Sequence, residues 1–362
     1  MEQTHLCDPE PEAAFRAAAE IMARTPDHVG TDRLAELAAL HYGLAGEIVP
    51  LASEVERTDA LDLADGRRLI LKTSAQAGAA QSFAFQSAVL GSLREAPGVT
   101  VPHIVPTTEG ERMFHHNGIC GYLQTRLEGR PLHEAGRDPA LIYQAGAALA
   151  HLDRALSRIH APEACRPLIW NIGCWTLLET LDTGPVAEDV AAAMGEFRAR
   201  IAPRLGDLDW QITHNDPSPH NTFVTSGGAG FIDFGDGGWN PRLLDLSIAA
   251  GHMVADPAHP LGGAEPLIAG YGSILPLSDL ECEMLVGLMR ARQAALILVN
   301  AWRSRLFPEE AAYINKNVAR ATRGLAILSR LRPDEEAQAV RSALSRTKPG
   351  GGQEQPEGGA KP

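Results

Sequence analysis

Apolar and polar positions change rhythm along this chain. Residues 13–24 are alanine-rich with helical spacing, and Pro26 ends the run. Leu34, Leu37, Ala38 and Leu40 repeat at helical offsets up to Gly43. The pattern then shortens. Residues 48–51, 59–64 and 67–73 read as strands, the last two joined at Asp65-Gly66. Residues 79–94 predict a helix, with Phe83, Gln86, Leu90 and Leu93 on one stripe. Gln86 is therefore expected on the buried face. Residues 97–106 read as an extended connection, and residues 119–127 as a strand that ends at the turn Glu128-Gly129-Arg130-Pro131.

Beyond Pro131 the spacing is mostly helical. Leu141, Ile142, Ala145, Leu149, Leu152, Leu156 and Ile159 form one stripe. Helices are also expected over 186–205, 267–271, 282–306 and 318–331. In the long helix the apolar series Leu285, Leu288, Ala295, Leu296, Val299 and Trp302 marks the core face. Arg290, Arg292, Arg303 and Arg305 are expected on solvent or in salt bridges. Trp170 and Trp175 are expected in packing, with a pocket wall as the sharper reading. From Arg332 the chain turns polar and rich in Gly, Pro, Gln and Glu, so 332–362 is expected to be disordered. A strand-rich segment followed by a helical one is an α+β pattern. The organisation it predicts is an arm or packing helix over 1–32, a first lobe over 33–128, a second lobe over 129–331, and the tail.

One interruption of the helical half carries chemistry. Residues 211–248 read QITHNDPSPHNTFVTSGGAGFIDFGDGGWNPRLLDLSI. The apolar run Thr222-Phe223-Val224, a glycine-rich turn and Phe231-Ile232 predict a hairpin. Asn221 would enter one strand and Asp233 leave the other, at the same end and beside Asp216. Two carboxylates and an amide there suit a hard cation shared with phosphate oxygens, as Mg²⁺ prefers.

The spacing also resembles a phosphoryl-transfer signature. Protein kinases carry an Asp with an Asn five positions on, then Asp-Phe-Gly after a short hairpin. Here Asn221 follows Asp216 by five positions, and Asp233-Phe234-Gly235 follows the hairpin. Asn215 stands where protein kinases place Arg, and Asp236, Pro241 and Leu244-Asp245-Leu246 replace the Ala-Pro-Glu segment. This combination resembles the aminoglycoside phosphotransferase and choline kinase superfamily, and most of all its hydroxylysine kinase group. The resemblance spans roughly residues 33–330 and implies a two-lobed protein-kinase-like fold. It implies Asp216 as the group that accepts or orients the acceptor's proton, and Asn221 and Asp233 as Mg²⁺ ligands. Lys72, Ser53, Arg57, Gln86, Gln124 and Arg126 would serve the nucleotide, ATP or GTP. Lys72 would clamp phosphate, with neutral Gln86 where many relatives have Glu. Residues 124–128 would form the hinge for the base. The loop 53–58 contains no glycine, and it departs from the group at Thr58 and Asp59. His214 and Asp245 are expected to brace the site, and Asp236 and Trp239 to face the acceptor. The acceptor would be a small hydroxylated amine or hydroxy amino acid, with hydroxylysine the best single candidate. An aminoglycoside-modifying kinase and a chain that binds nucleotide without turnover are the alternatives.

Composition narrows this little further. The chain has 362 residues and a net charge of −13, which argues against nucleic acid and anionic membranes as partners. The five cysteines show no zinc-ligand spacing and read as thiols of a cytoplasmic protein. No apolar run reaches the length of a membrane span, and the first twelve residues do not resemble a signal peptide.

Overall fold

The computed structural model describes residues 10–25, 29–51 and 56–346. Helices α1 (Pro11–Met22) and α2 (Thr31–Tyr42) precede the strands β1 (Gly46–Pro50), β2 (Arg57–Leu63) and β3 (Arg68–Ser74). Gly43 closes α2 in the left-handed region at φ 64°, a conformation that costs glycine little. Helix α3 (Ala79–Leu93) follows, then β4 (Ile104–Val105), β5 (Phe114–His116) and β6 (Ile119–Thr125). These strands form one antiparallel sheet in the order β1-β2-β3-β6-β4, with β5 also paired to β6. The register sets Lys72 opposite Tyr122 and Ile70 opposite Gln124. Leu34, Leu37, Leu61, Leu71 and Leu123 fill the core between α2 and one sheet face.

The helical half contains α4 (Pro139–Leu156), α5 (Glu188–Glu196), α6 (Leu243–Met253), α7 (Glu265–Gly272), α8 (Asp279–Leu306), α9 (Ala311–Ile314), α10 (Val318–Leu328) and α11 (Pro333–Leu344). Its small strands are β7 (Arg130–Pro131), β8 (Trp210–Thr213), β9 (Thr222–Thr225), β10 (Gly228–Phe231) and β11 (Gly238–Pro241). Local chemistry sets the helix starts. The Asp138 carboxylate accepts from the Ala140 N–H at 2.9 Å, with Pro139 at the first turn of α4. Ser278 and Glu281 exchange bonds as a capping box at the start of α8. Helices α4 and α7 cross backbone to backbone. A Cβ at Gly146 would lie 2.0 Å from the Leu267 carbonyl, and one at Gly270 would lie 1.9 Å from that of Tyr143. That close crossing brings Asp153 within 2.7 Å of the Tyr271 hydroxyl.

The structure corrects the expectations for the tail and the cysteines. The polar stretch after Arg332 is not uniformly disordered, because residues 333–344 fold as α11. Val340 and Ala343 are buried, and Glu336 pairs with Arg290. Of the four arginines expected on solvent or in salt bridges, Arg290, Arg292 and Arg303 are buried, and Arg290 and the exposed Arg305 are in salt bridges. Arg290 is held by Glu196 at 2.8 Å as well as by Glu336. Cys120, Cys174 and Cys282 are buried thiols, but Cys165 is disulfide-bonded, against the expectation of five thiols. Among the described residues, no helix is long and apolar enough to cross a membrane.

Candidate active site

The hairpin forms as the sequence pattern implies. Strands β9 and β10 pair from Thr225↔Gly228 to Thr222↔Phe231. One further bond, from the Ile232 N–H to the Asn221 carbonyl at 2.9 Å, holds the two strand ends together. Asn221 and Asp233 therefore flank the same end of the hairpin. The Asn221 side-chain amide donates to Asp216 Oδ2 at 2.7 Å and to the Asp216 carbonyl at 3.1 Å. Its nitrogen faces Asp216, which leaves the amide oxygen for a cation. Asp233 stands half-exposed at φ 64°. Asn215 is likewise held at φ 63°. Left-handed backbone at non-glycine residues costs energy, and such residues concentrate at functional sites.

Asp245 fixes this loop from below. Its two oxygens accept the backbone N–H groups of His214 at 2.7 Å and Asn215 at 2.6 Å. His214 Nε2 donates to the Ile232 carbonyl at 2.9 Å, while Nδ1 accepts the Asp216 N–H at 3.3 Å. Those neighbours assign the neutral tautomer, and burial lowers the pKa of His214 below the ordinary value. Behind Asp245 lies Asp153, whose pKa is raised well above the carboxylate range by burial and by the Asp245 charge. Arg242 joins Glu281 and the Tyr271 hydroxyl.

Lys72 reaches the site from β3. Its Nζ lies 2.7 Å from Asp233 Oδ1 and donates to Gln86 Oε1 at 3.1 Å. Gln86 is buried as its position on the α3 stripe implies. Its Nε2 donates to both oxygens of Glu56, at 2.9 and 3.0 Å. Ser82 also donates to Glu56 at 2.7 Å, and Tyr122 to Gln86 Oε1 at 2.9 Å. Glu56 lies 3.6 Å from Lys72. The neutral Gln86 thus relays a carboxylate that comes from the phosphate loop and not from α3. Lys72 does not depend on phosphate alone for counter-charge. Burial opposes its charge, but Asp233, Tyr122 and Glu56 raise its pKa above the usual lysine value. Lys72 in turn holds the Asp233 carboxyl below the usual range.

Not every expected residue joins this group. Ser53 lies outside the described residues. Arg57 faces away, forked onto the buried Asp59 at 2.9 Å twice and onto the Val29 carbonyl. That pairing accounts for an acid at position 59, where the resembled group has an aromatic residue. Gln124 is buried in β6, while Arg126 is exposed and donates its N–H to the Arg68 carbonyl at 3.0 Å. Trp239 pairs with Ile212 across β8 and β11 and packs against the helical core. Arg292 lies over the Trp170 ring and stands 3.8 Å from Asp216. Asp236 is half-buried at the turn before β11, and its carbonyl accepts from Asn215 at 3.0 Å. Arg166, which no periodicity singled out, donates to the Gly235 carbonyl and lies over Phe85, 4.5 Å from its centroid. Burial lowers its pKa to about 10, against the charges of Glu56 and Asp236. Both Glu56 and Arg166 adjoin the motif in space, but neither carries a sequence signal.

Comparison with known proteins gives the family and the fold. Residues 47–282 match a family model described as "APH: Phosphotransferase enzyme family". The hydroxylysine kinase of Danio rerio is 25% identical over 315 residues, covering 80% of this chain and 88% of that protein. The homoserine kinase of Pseudomonas aeruginosa (strain LESB58) is 29% identical over 249 residues, 66% of this chain and 74% of that protein. Among solved structures, an amicoumacin kinase in complex with AMP-PNP, Ca²⁺ and Ami superposes with a TM-score of 0.64 at 17% identity. It covers 84% of this chain and 95% of that one.

Proposed function

We infer the reaction from one premise: this chain belongs to the phosphotransferase enzyme family. It is a small-molecule kinase that transfers a nucleotide's terminal phosphate to a hydroxyl group. The roles of individual residues are our proposal. The observation that carries it is two hydrogen-bonded pairs, Asn221–Asp216 and Lys72–Asp233, set at the same end of the hairpin by the Ile232–Asn221 backbone bond. Asp216 orients the acceptor hydroxyl and draws off its proton. Lys72 moves its ion pair from Asp233 to nucleotide phosphate. Asp233 and the Asn221 amide oxygen are the pair suited to Mg²⁺, since an ion that retains water and takes phosphate oxygens needs few protein ligands. When bound, Mg²⁺ would neutralise phosphate charge. Positioning and preorganised charge supply most of the acceleration.

The proposed acceptor is a small hydroxylated amine or hydroxy amino acid, with hydroxylysine the first candidate and Asp236 as a site for its ammonium group. We propose a cytoplasmic setting, where the nucleotide is available, and no nucleic-acid partner, given the net charge of −13. A screen of hydroxylated amines for nucleotide consumption, with ATP and GTP run in parallel, tests the reading. Acceptor-dependent consumption supports it. Consumption that no acceptor stimulates speaks for a different function.

A further inference from the structure

Two buried guanidinium groups near Asp216 carry N–H groups that the described residues leave without hydrogen-bond partners. Arg292, on α8, is only 6% exposed. Its guanidinium carbon lies 4.3 Å from the Trp170 ring centroid. Its Nη2 stands 3.8 Å from Asp216 Oδ1, beyond hydrogen-bond reach. Its Nη1 is buried and has no hydrogen-bond partner among the described residues.

Arg320, on α10, enters the same space. Its Nη1 makes only long contacts, 3.4 Å to the Gly251 carbonyl and 3.5 Å to Gln293 Oε1. Its Nε and Nη2 are buried without partners among the described residues. Burial, then repulsion from Arg292, lowers the pKa of Arg320 to about 10. His252, buried next to both arginines, is held neutral by burial and by their charge. A chain with a net charge of −13 does not gather cations here through composition.

Guanidinium groups taken from water and left unpaired are costly, and they persist where a ligand completes them. A planar fork with free N–H groups matches a carboxylate. Lys72 and the hairpin already form the phosphate side. Arg292 and Arg320 come from α8 and α10, in the same helical half as the hairpin and opposite the sheet that carries Lys72.

We propose that Arg292 and Arg320 form a carboxylate site for the acceptor, so that the substrate is a hydroxy α-amino acid rather than a simple amino alcohol. The proposal rests on the kinase reading above and narrows its substrate class. The carboxylate would lie between the two guanidinium groups, with Trp170 as the floor beneath Arg292. The acceptor hydroxyl would then extend toward Asp216.

The test compares acceptors that differ only in the carboxylate. L-homoserine is paired with 3-aminopropan-1-ol, and 5-hydroxylysine with 1,5-diaminopentan-2-ol. The wild-type kcat/KM for the preferred amino acid should exceed that for its decarboxylated partner by about 100-fold or more, as expected when a buried charge pair is lost. Arg320→Met should raise the amino acid KM about tenfold, narrow that ratio, and move the nucleotide KM less than twofold. Because it removes an unpaired buried charge, it should leave the melting temperature of the ligand-free protein unchanged or higher. A purely structural arginine would lower it. The wild-type comparison needs no variant, so misfolding of Arg320→Met leaves the test standing. Equal use of both members of a pair overturns the carboxylate site alone. A nucleotide KM that rises in step with the acceptor KM also overturns it, and assigns the arginines to nucleotide phosphate. Turnover of none of the four compounds sinks the hydroxylated-amine reading and this inference with it.

Discussion

Lys72 Nζ stands 2.7 Å from Asp233 Oδ1, an ion pair between residues 161 positions apart that ties the sheet to the hairpin. The lysine is buried and the carboxylate half-exposed, so the pair faces the space where phosphate would enter. Its two pKa shifts have opposite senses, and each has a consequence for stability.

The depressed Asp233 contributes stability that is present above its unfolded pKa, about 3.9, and is lost as pH falls through the lower folded value. The raised Lys72 contributes stability that is present below about 10.4 and is lost as pH rises through its higher folded value. The contribution of the pair should therefore be flat across neutral pH. Exposure of Asp233 screens it to about 1 kcal/mol or less. Urea midpoints of wild type and Asp233→Asn should differ by a constant amount from pH 6 to 9, and the gap should close below about pH 4. A gap that widens toward acid contradicts the pair.

Asp233→Ala should also remove the Mg²⁺ dependence of nucleotide binding. Titration calorimetry with and without Mg²⁺ reads this directly. The same Mg²⁺-nucleotide affinity in variant and wild type would refute the metal role.

Glu56→Gln tests the relay through Gln86. Hydrogen bonds to charged groups contribute about 1.5–3 kcal/mol. Loss of the carboxylate should therefore raise the nucleotide KM about tenfold while leaving the acceptor KM within twofold. Unchanged nucleotide kinetics would mean that Lys72 needs no second acid.

The hairpin and its motif were legible because three signals coincide: an apolar run, a glycine turn, and fixed Asp and Asn spacings. Gln86 was legible because the helical period of α3 places it on the buried face. Glu56 was not, since an acid in a polar loop has no period and its partner lies thirty positions away. The burial of Arg292 was not legible, for a physical reason. A charged residue on a long amphipathic helix signals a solvent face, and here α10 and Trp170 cover that face. α11 was missed because its composition is that of a tail. A few apolar residues and the Arg290–Glu336, Arg200–Glu336 and Arg341–Asp279 pairs bind it to the rest of the protein.

That last point gives a prediction about stability. Truncation before Pro333 strips Glu336 from the buried Arg290. Breaking such a pair costs about 3–5 kcal/mol, so the melting temperature should fall by several degrees. Truncation after Lys348 removes no residue able to anchor in the core and should leave the melting temperature unchanged. Equal melting temperatures for the two truncations would show that α11 adds nothing.

The central claim is acceptor phosphorylation through Asp216, and phosphorus NMR of the reaction mixture tests it most directly. Wild type incubated with nucleotide, Mg²⁺ and 5-hydroxylysine or L-homoserine should yield a phosphomonoester resonance on the acceptor. Asp216→Asn should form it about 10²–10⁴-fold more slowly while still binding nucleotide. A spectrum showing only inorganic phosphate, or an Asp216→Asn rate within threefold of wild type, would contradict the account.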